Sequence, residues 1–283
     1  MRHQEESTSG TSTTARCLAF RGRLIALSVL WLGLVSLTGG CAALSDSKLV
    51  AVGVDYWDAQ VGGSLESSEL GLVGDRLDVE STLDIDDEKV WVYHGAATVG
   101  PTRIEATFID LGYSGVTTLA NSIDFSGQTF GAGNVVSSDL ETSILQLHAA
   151  TGLYNWNIVK FGFIAGLDQL KIDSTLVDET ALITASQDFN DWVPVVGITA
   201  EVSLPLFKVE FFAAGEISGI IEALSLNTID GSYLSSEIRG GVNIDDGFKF
   251  GIGYRSLEAD FDDGGANFDL DLGGGFLFLE LEF

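Results

Sequence analysis

The chain closes on Gly275-Phe276-Leu277-Phe278-Leu279-Glu280-Leu281-Glu282-Phe283, and this stretch repeats with a period of two. In an extended strand Leu277, Leu279, Leu281 and Phe283 fall on one face, while Glu280 and Glu282 fall on the other. A helix would scatter the leucines around its axis, because its period is 3.6 residues. A strand apolar on one side and ionised on the other separates two different environments.

The same pattern runs upstream. Phe248, Phe250, Ile252 and Tyr254 oppose Lys249, Gly251, Gly253 and Arg255. Leu234, Ile238, Val242 and Ile244 oppose Glu237, Arg239 and Asn243. Phe207, Val209, Phe211 and Ala213 oppose Lys208, Glu210 and Glu216, and Val159, Phe161, Phe163, Ala165 and Leu167 oppose Lys160, Gly162, Gly166 and Asp168. Ten strands are expected, near 49–64, 89–100, 102–115, 141–154, 157–171, 192–204, 207–219, 232–244, 248–261 and 268–283. Short turns are expected at Gly100-Pro101, Tyr154-Asn155-Trp156-Asn157, Leu204-Pro205-Leu206 and Asp245-Asp246-Gly247, the last a strong hairpin signal. The segments 65–88, 116–140 and 172–191 read as longer, more polar loops.

Short turns at one end and long loops at the other define the expected fold class. It is all-β: a single transmembrane antiparallel up-and-down β-barrel of about ten strands, with the short turns and both termini periplasmic. Composition agrees, with 34 glycines, 3 prolines and 46% hydrophobic residues. After the N-terminal region no apolar run approaches a membrane helix in length. Aromatic residues gather at strand ends. Tyr154, Trp156, Phe207 and Phe248 lie by the short turns, and Trp57, Trp91, Tyr93, Tyr113, Trp192 and Tyr233 near the long loops. Two interfacial girdles are expected from them.

The N-terminus reads as a targeting segment, 1–41, ahead of the barrel domain, 42–283. Arg16, Arg21 and Arg23 precede the apolar run Leu24 to Leu37. The following LTGGC resembles a lipobox and makes Cys41 a lipidation candidate; cleavage after Ala43 is the alternative. Cys17 would leave with the signal, so no internal disulfide is expected. Without the four arginines and two glutamates before residue 41, 10 cationic side chains face 39 acidic ones, a net of −29. Such a surface repels nucleic acid.

The closing strand, with Leu277, Leu279, Leu281 and terminal Phe283, resembles the C-terminal assembly signal of bacterial outer-membrane barrels. The mature chain as a whole is similar to small outer-membrane barrels of the OmpA-barrel and OmpW type. Arg103 to Leu147 is also similar to a segment of uncharacterised proteobacterial barrels. The resemblance implies handling by the barrel-assembly machinery and contact with outer-membrane lipid and lipopolysaccharide. It implies no activity and no cofactor.

Inside such a barrel a network of Arg103, Glu105, Lys160, Lys208, Glu210, Glu237, Arg239, Lys249, Arg255, Glu280 and Glu282 is expected, because charge on the lipid side costs a few kcal/mol. Eight strands leave an interior just filled by side chains, so about ten leave a narrow, largely plugged lumen. The expected function is a structural or surface-interaction barrel, monomeric and without enzymatic activity. A narrow channel for small solutes is one alternative. The other is an enzyme at the barrel rim, a protease or a lipid A-modifying enzyme. His94 and His148 are its only candidate bases after the signal; both should point inward, His94 nearer the rim and close in sequence to Asp84, Asp86 and Asp87. The acidic runs Asp84-Ile85-Asp86-Asp87-Glu88 and Asp260-Phe261-Asp262-Asp263-Gly264 lack EF-hand spacing; weak divalent-cation binding is the functional reading and solvated charge the structural one. The alternation of Leu77-Asp78-Val79-Glu80 and Leu83-Asp84-Ile85-Asp86 suggests exposed strands extending the first hairpin, a surface open to a partner.

Overall fold

The computed structural model describes residues 49–67, 75–85, 87–156, 158–206, 209–220, 230–244, 247–262 and 266–283. The expected signal segment, Cys41 and Lys208 lie outside the described residues. In chain order the strands are β1 (Val50–Ser67), β2 (Leu77–Asp78), β3 (Glu88–Val99), β4 (Thr102–Thr118), β5 (Ile123–Phe125), β6 (Gln128–Phe130), β7 (Val135–Trp156), β8 (Val159–Asp178), β9 (Ile183–Leu206), β10 (Val209–Gly219), β11 (Asp230–Ile244), β12 (Phe248–Asp262) and β13 (Ala266–Glu282). Ten of them (β1, β3, β4 and β7 to β13) pair antiparallel with their neighbours in chain order, and β13 pairs back onto β1. The sheet is a closed barrel of the expected strand number. β2 adds to β1, and β5–β6 forms a separate small hairpin.

The short connections fall at one end, here called the lower end. Val99 pairs with Thr102 around Gly100-Pro101, as expected. Two turns lie slightly later than the sequence suggested. Trp156 still pairs with Val159, and Pro205 and Leu206 still pair with Glu210 and Val209. Proline lacks only its own donor, so it is tolerated near a strand terminus.

The long upper connections differ most from expectation. Residues 172–191 are not a loop: β8 continues to Asp178 and β9 begins at Ile183, paired throughout. In the same way β4 reaches Thr118 and β7 starts at Val135. The alternation persists there, but its sense is reversed. In the lower part of β12, Phe248, Phe250, Ile252 and Tyr254 are exposed, and Arg255 is buried. Higher up, Glu258, Asp260 and Asp262 face out and Leu257, Ala259 and Phe261 face in. In β8, Phe161 and Phe163 face out below, whereas Leu170, Ile172 and Leu176 are buried above. The lower half is therefore apolar outside and polar inside, as a bilayer requires. The upper half has the polarity of a water-soluble barrel. A spanning strand needs only about ten residues, so the 20 residues of β8 and 24 of β9 carry the wall well past an apolar belt.

The reversal also corrects the upper girdle. Trp91, Tyr93 and Trp192 are exposed on the outer face, but Trp57, Tyr113 and Tyr233 are at most 3% exposed and point inward. Rings at the level of the reversal bury more apolar area inside than out. Trp57, Phe125, Phe130 and Phe261 fill the upper interior, where Phe189 stacks on Phe261 with ring centroids 5.1 Å apart.

The segment 76–85 packs into this core. It is not an exposed pair of strands. Leu77, Val79, Leu83 and Ile85 are buried, the Ser138 hydroxyl donates to the Leu83 carbonyl (3.1 Å), and Ile85 bridges to Gly115. A Cβ at Gly115 would lie 2.3 Å from the Leu83 carbonyl oxygen, so glycine lets the two backbones meet. The strict alternation that suggested protruding strands serves inward burial.

At the tip of the β8–β9 hairpin the Asp178 carboxylate accepts the backbone N–H groups of Thr180 and Ala181, both at 2.8 Å, and the Asn134 amide at 2.6 Å. The Ala181 N–H, with the Asn134 amide and Thr180 N–H, holds this carboxyl below its ordinary value. A lowered folded value means the stabilisation is complete above the unfolded pKa, about 3.9, and is lost as pH falls through the folded one. Hydrogen exchange should therefore show the Thr180 and Ala181 amides protected at neutral pH. That protection should vanish in strong acid and, at any pH, in Asp178→Ala.

Candidate functional site

Below the apolar core, inward positions of the strands carry two connected polar clusters. The first centres on Arg255 and Glu280. Arg255 Nη2 contacts Asp55 (2.8 Å) and Glu237 (2.6 Å), and its guanidinium stands 4.9 Å from the Phe276 ring centroid. Glu280 is surrounded by His94 (3.4 Å), Arg103 (3.5 Å), Arg239 (3.7 Å) and Lys249 (3.4 Å). Lys249 also pairs with Glu282 at 2.7 Å, and Arg103 with Glu105 at 3.1 Å. Asp55, Arg255 and Glu280 are buried and the others half-buried, and each has opposite charges within reach, the condition under which buried ions are tolerated.

Strand alternation gathers these residues. Phe276, Phe278, Glu280 and Glu282 point inward from β13, while Leu277, Leu279, Leu281 and Phe283 point into the belt. The expected set is thus brought together: Arg103, Glu105, Glu237, Arg239, Lys249, Arg255, Glu280 and Glu282. Glu210 accepts the Asn243 amide at 3.1 Å, beside these ion pairs. Lys160 differs. It pairs with Glu201 at 2.8 Å at the lower mouth, and its side chain is 52% exposed.

Asp55 is the member the sequence reading missed. It shares an inward strand face with Trp57, which the sequence suggested as an interfacial ring. Alternation from Val54 and Tyr56, both apolar, would have found it.

His94 lies 3.5 Å from Asp55 through Nδ1 and reaches Glu280, two residues from the lower end of β13. It is therefore deep in the lower half, away from the rim and from the acidic run 84–88. A Cβ at Gly53 would sit 2.0 Å from the His94 ring, so only glycine leaves space for the imidazole. Gly53→Val should destabilise the barrel by about 1–3 kcal/mol through overpacking, read as a lower urea midpoint.

The second cluster centres on His148 of β7. Its Nε2 lies 2.8 Å from Asp168 and its Nδ1 3.1 Å from Glu216. Tyr233 donates its hydroxyl to Asp168 at 2.7 Å, and Gln146 donates its amide at 3.2 Å. Only the imidazolium can donate to both carboxylates at once. Between the clusters lies a polar cavity of about 60 Å³, bordered by Glu105, His148, Glu216, Glu237, Arg239 and Arg255. It is large enough for a few waters and no more.

Among the described residues no group of three His, Cys, Asp or Glu side chains is placed to hold a metal ion. In the acidic upper runs, Asp87 accepts the Val61 N–H (3.4 Å) and Glu88 the Gly112 N–H (2.8 Å); Asp86, Asp263 and Gly264 lie outside the described residues.

Among solved structures the chain is similar to the outer membrane protease OmpT of Escherichia coli, with a TM-score of 0.52 at 11% identity, covering 86% of this chain and 100% of that one. It is also similar to the transport unit of the autotransporter AIDA-I of Escherichia coli, with a TM-score of 0.43 at 9% identity, covering 88% of this chain and 94% of that one. A third is the translocator domain of the autotransporter NalP of Neisseria meningitidis, with a TM-score of 0.39 at 14% identity, covering 96% and 98%. No family model and no curated protein matches the chain. At these identities the likeness is one of fold. Apolar belt and polar lower interior together define a closed ten-stranded antiparallel β-barrel with the fold of bacterial outer-membrane barrels.

Proposed function

We propose that this is a monomeric, closed outer-membrane barrel with a structural or surface-interaction role. Its lower half would sit in the bilayer with short turns and termini in the periplasm. Its upper half would project from the cell as a water-soluble barrel against the lipopolysaccharide. The observation that carries this reading is the polarity reversal along the strands. It stacks an apolar core of buried side chains directly on a paired ionic network. Ions would have to cross both, and the cavity of about 60 Å³ inside the polar layer has room for a few waters.

A rim-based enzyme relying on histidine finds little support. The chain has 3 histidines. His3 precedes the described residues, His94 is buried in the lower half, and half-buried His148 points into the interior between two carboxylates.

In planar bilayers the protein should show no discrete conductance steps; regular unitary steps would sink the closed reading in favour of a narrow channel. Orientation is tested separately. Cysteine placed at Ala181 should react with a membrane-impermeant maleimide on intact cells, and cysteine at Gly247 should not. The reverse pattern would invert the barrel.

A further inference from the structure

The connection between β4 and β7 carries β5 and β6, which pair with each other and join no barrel strand. Its stem closes where the Leu119 N–H donates to the Asn134 carbonyl (3.0 Å) and the Gly133 N–H to the Leu119 carbonyl (2.8 Å). From there the hairpin reaches across the upper mouth. On one side the hydroxyl of Ser126, at the hairpin tip, donates to the Ser186 carbonyl of β9 (3.0 Å). On the other the Asp75 N–H donates to the Asp124 carbonyl (2.9 Å), and the Asp75 carboxylate accepts the Asp124 N–H (2.8 Å). Asp75 stands two residues before β2, which pairs with β1. The hairpin is therefore fastened to the rim at β9 and beside β1, on either side of its own stem.

Its two faces differ. Asp124, Gly127, Gln128 and Thr129 are exposed, whereas Ile123, Phe125 and Phe130 are buried in the upper interior. That interior also holds an aromatic cluster in which Phe189 lies 5.1 Å from Phe261 and 5.7 Å from Phe268. Lower on β4 and β7, the strands that carry the hairpin, Tyr113 and Thr142 are buried, and their hydroxyls have no hydrogen-bond partner among the described residues. A buried hydroxyl without a partner is costly and calls for a reason. A two-stranded hairpin is marginal on its own, and elements with few backbone bonds to the rest open at lower free energy than the wall. The two phenyl rings are thus the part of the upper core that can leave without unzipping a barrel strand.

We propose that the upper barrel is a ligand chamber and that the β5–β6 hairpin is its lid. With the lid down, Phe125 and Phe130 fill the chamber. With the lid up, an uncharged molecule of about two aromatic rings takes their place, and a hydroxyl on it pairs with the Tyr113 hydroxyl. The ionic layer beneath stays shut, so the ligand enters and leaves by the upper mouth alone. This adds a binding site to the closed-barrel reading and is independent of which end faces out of the cell.

The test uses the full-length chain refolded in detergent, 2-naphthol and naphthalene as probes, and hydrogen exchange read by mass spectrometry. Amides 123–130 should exchange at least about tenfold faster than amides 170–176 of upper β8. Saturating 2-naphthol, which binds the open form, should speed 123–130 about tenfold more and leave 170–176 unchanged. Naphthalene should act in the same direction but more weakly. Tyr113→Phe keeps the ring and removes a hydroxyl without a partner, so the variant should fold. It should bind 2-naphthol about tenfold more weakly, at the naphthalene level, and leave the naphthalene response unchanged. Lid amides as protected as those of β8 would overturn the lid. Lid exchange unmoved by 2-naphthol would overturn the chamber. So would equal acceleration of 170–176, since the probe would then be loosening the whole barrel. Equal responses of wild type and Tyr113→Phe to 2-naphthol would overturn the phenol contact. Conductance steps in bilayers together with a responsive lid would instead remove the closed reading and leave the lidded chamber standing.

Discussion

Arg255→Met lowers the stability of the barrel by about 3–5 kcal/mol, because it takes the nearest cation from buried Asp55 and half-buried Glu237. Arg255 is 5% exposed and holds Asp55 at 2.8 Å and Glu237 at 2.6 Å. Methionine matches the arginine stem and still packs on Phe276, so lost packing is a small part of the effect. Asp55, 2% exposed beneath the apolar core, cannot reach water. Urea unfolding in lipid vesicles should show a lower midpoint with an unchanged slope. Adding Asp55→Leu and Glu237→Leu, which removes the stranded charges, should recover most of the loss. A single variant as stable as the wild type would mean the network is hydrated and the lumen open.

The second large effect locates the belt on one strand. Ile252 faces outward and is 66% exposed in the protein alone. Ile252→Arg places a charge on the lipid side and should destabilise by about 2–4 kcal/mol at mid-membrane. Glu258 shares that outer face but lies above the reversal. Glu258→Arg should stay within about 0.5 kcal/mol, as a surface change does. The same unfolding assay reads both. Equal losses would show the bilayer reaching Glu258; no loss for Ile252 would show it does not cover the lower half.

The strand count and the lower interior were legible, because in the belt lipid outside and charge inside make the alternation unambiguous. Residues 248–255 and 275–283 spell it directly. The upper half was hidden for a specific reason. Lys171, Asp173 and Asp188 are polar residues on the outer face of a continuous hairpin, yet a polar outer face and a loop have the same composition. Only the apolar residues Leu170, Ile172 and Leu176 on the inward face separated them, and that apolar set has the opposite sense from the belt below. The error on Trp57 follows from the same reversal. A ring at the boundary can face lipid or core, and its chemistry suits both.

By itself, then, the sequence determined a closed antiparallel barrel, its phase within the belt and most of the charges inside it, because period-two alternation between two solvents is a local property. Tertiary structure decided what those charges pair with, that 76–85 folds inward, and that the upper interior is filled. Those outcomes depend on which strands face each other across the lumen. Asp55 and Arg255 lie 200 residues apart in the chain, and no local pattern relates them until β13 closes onto β1.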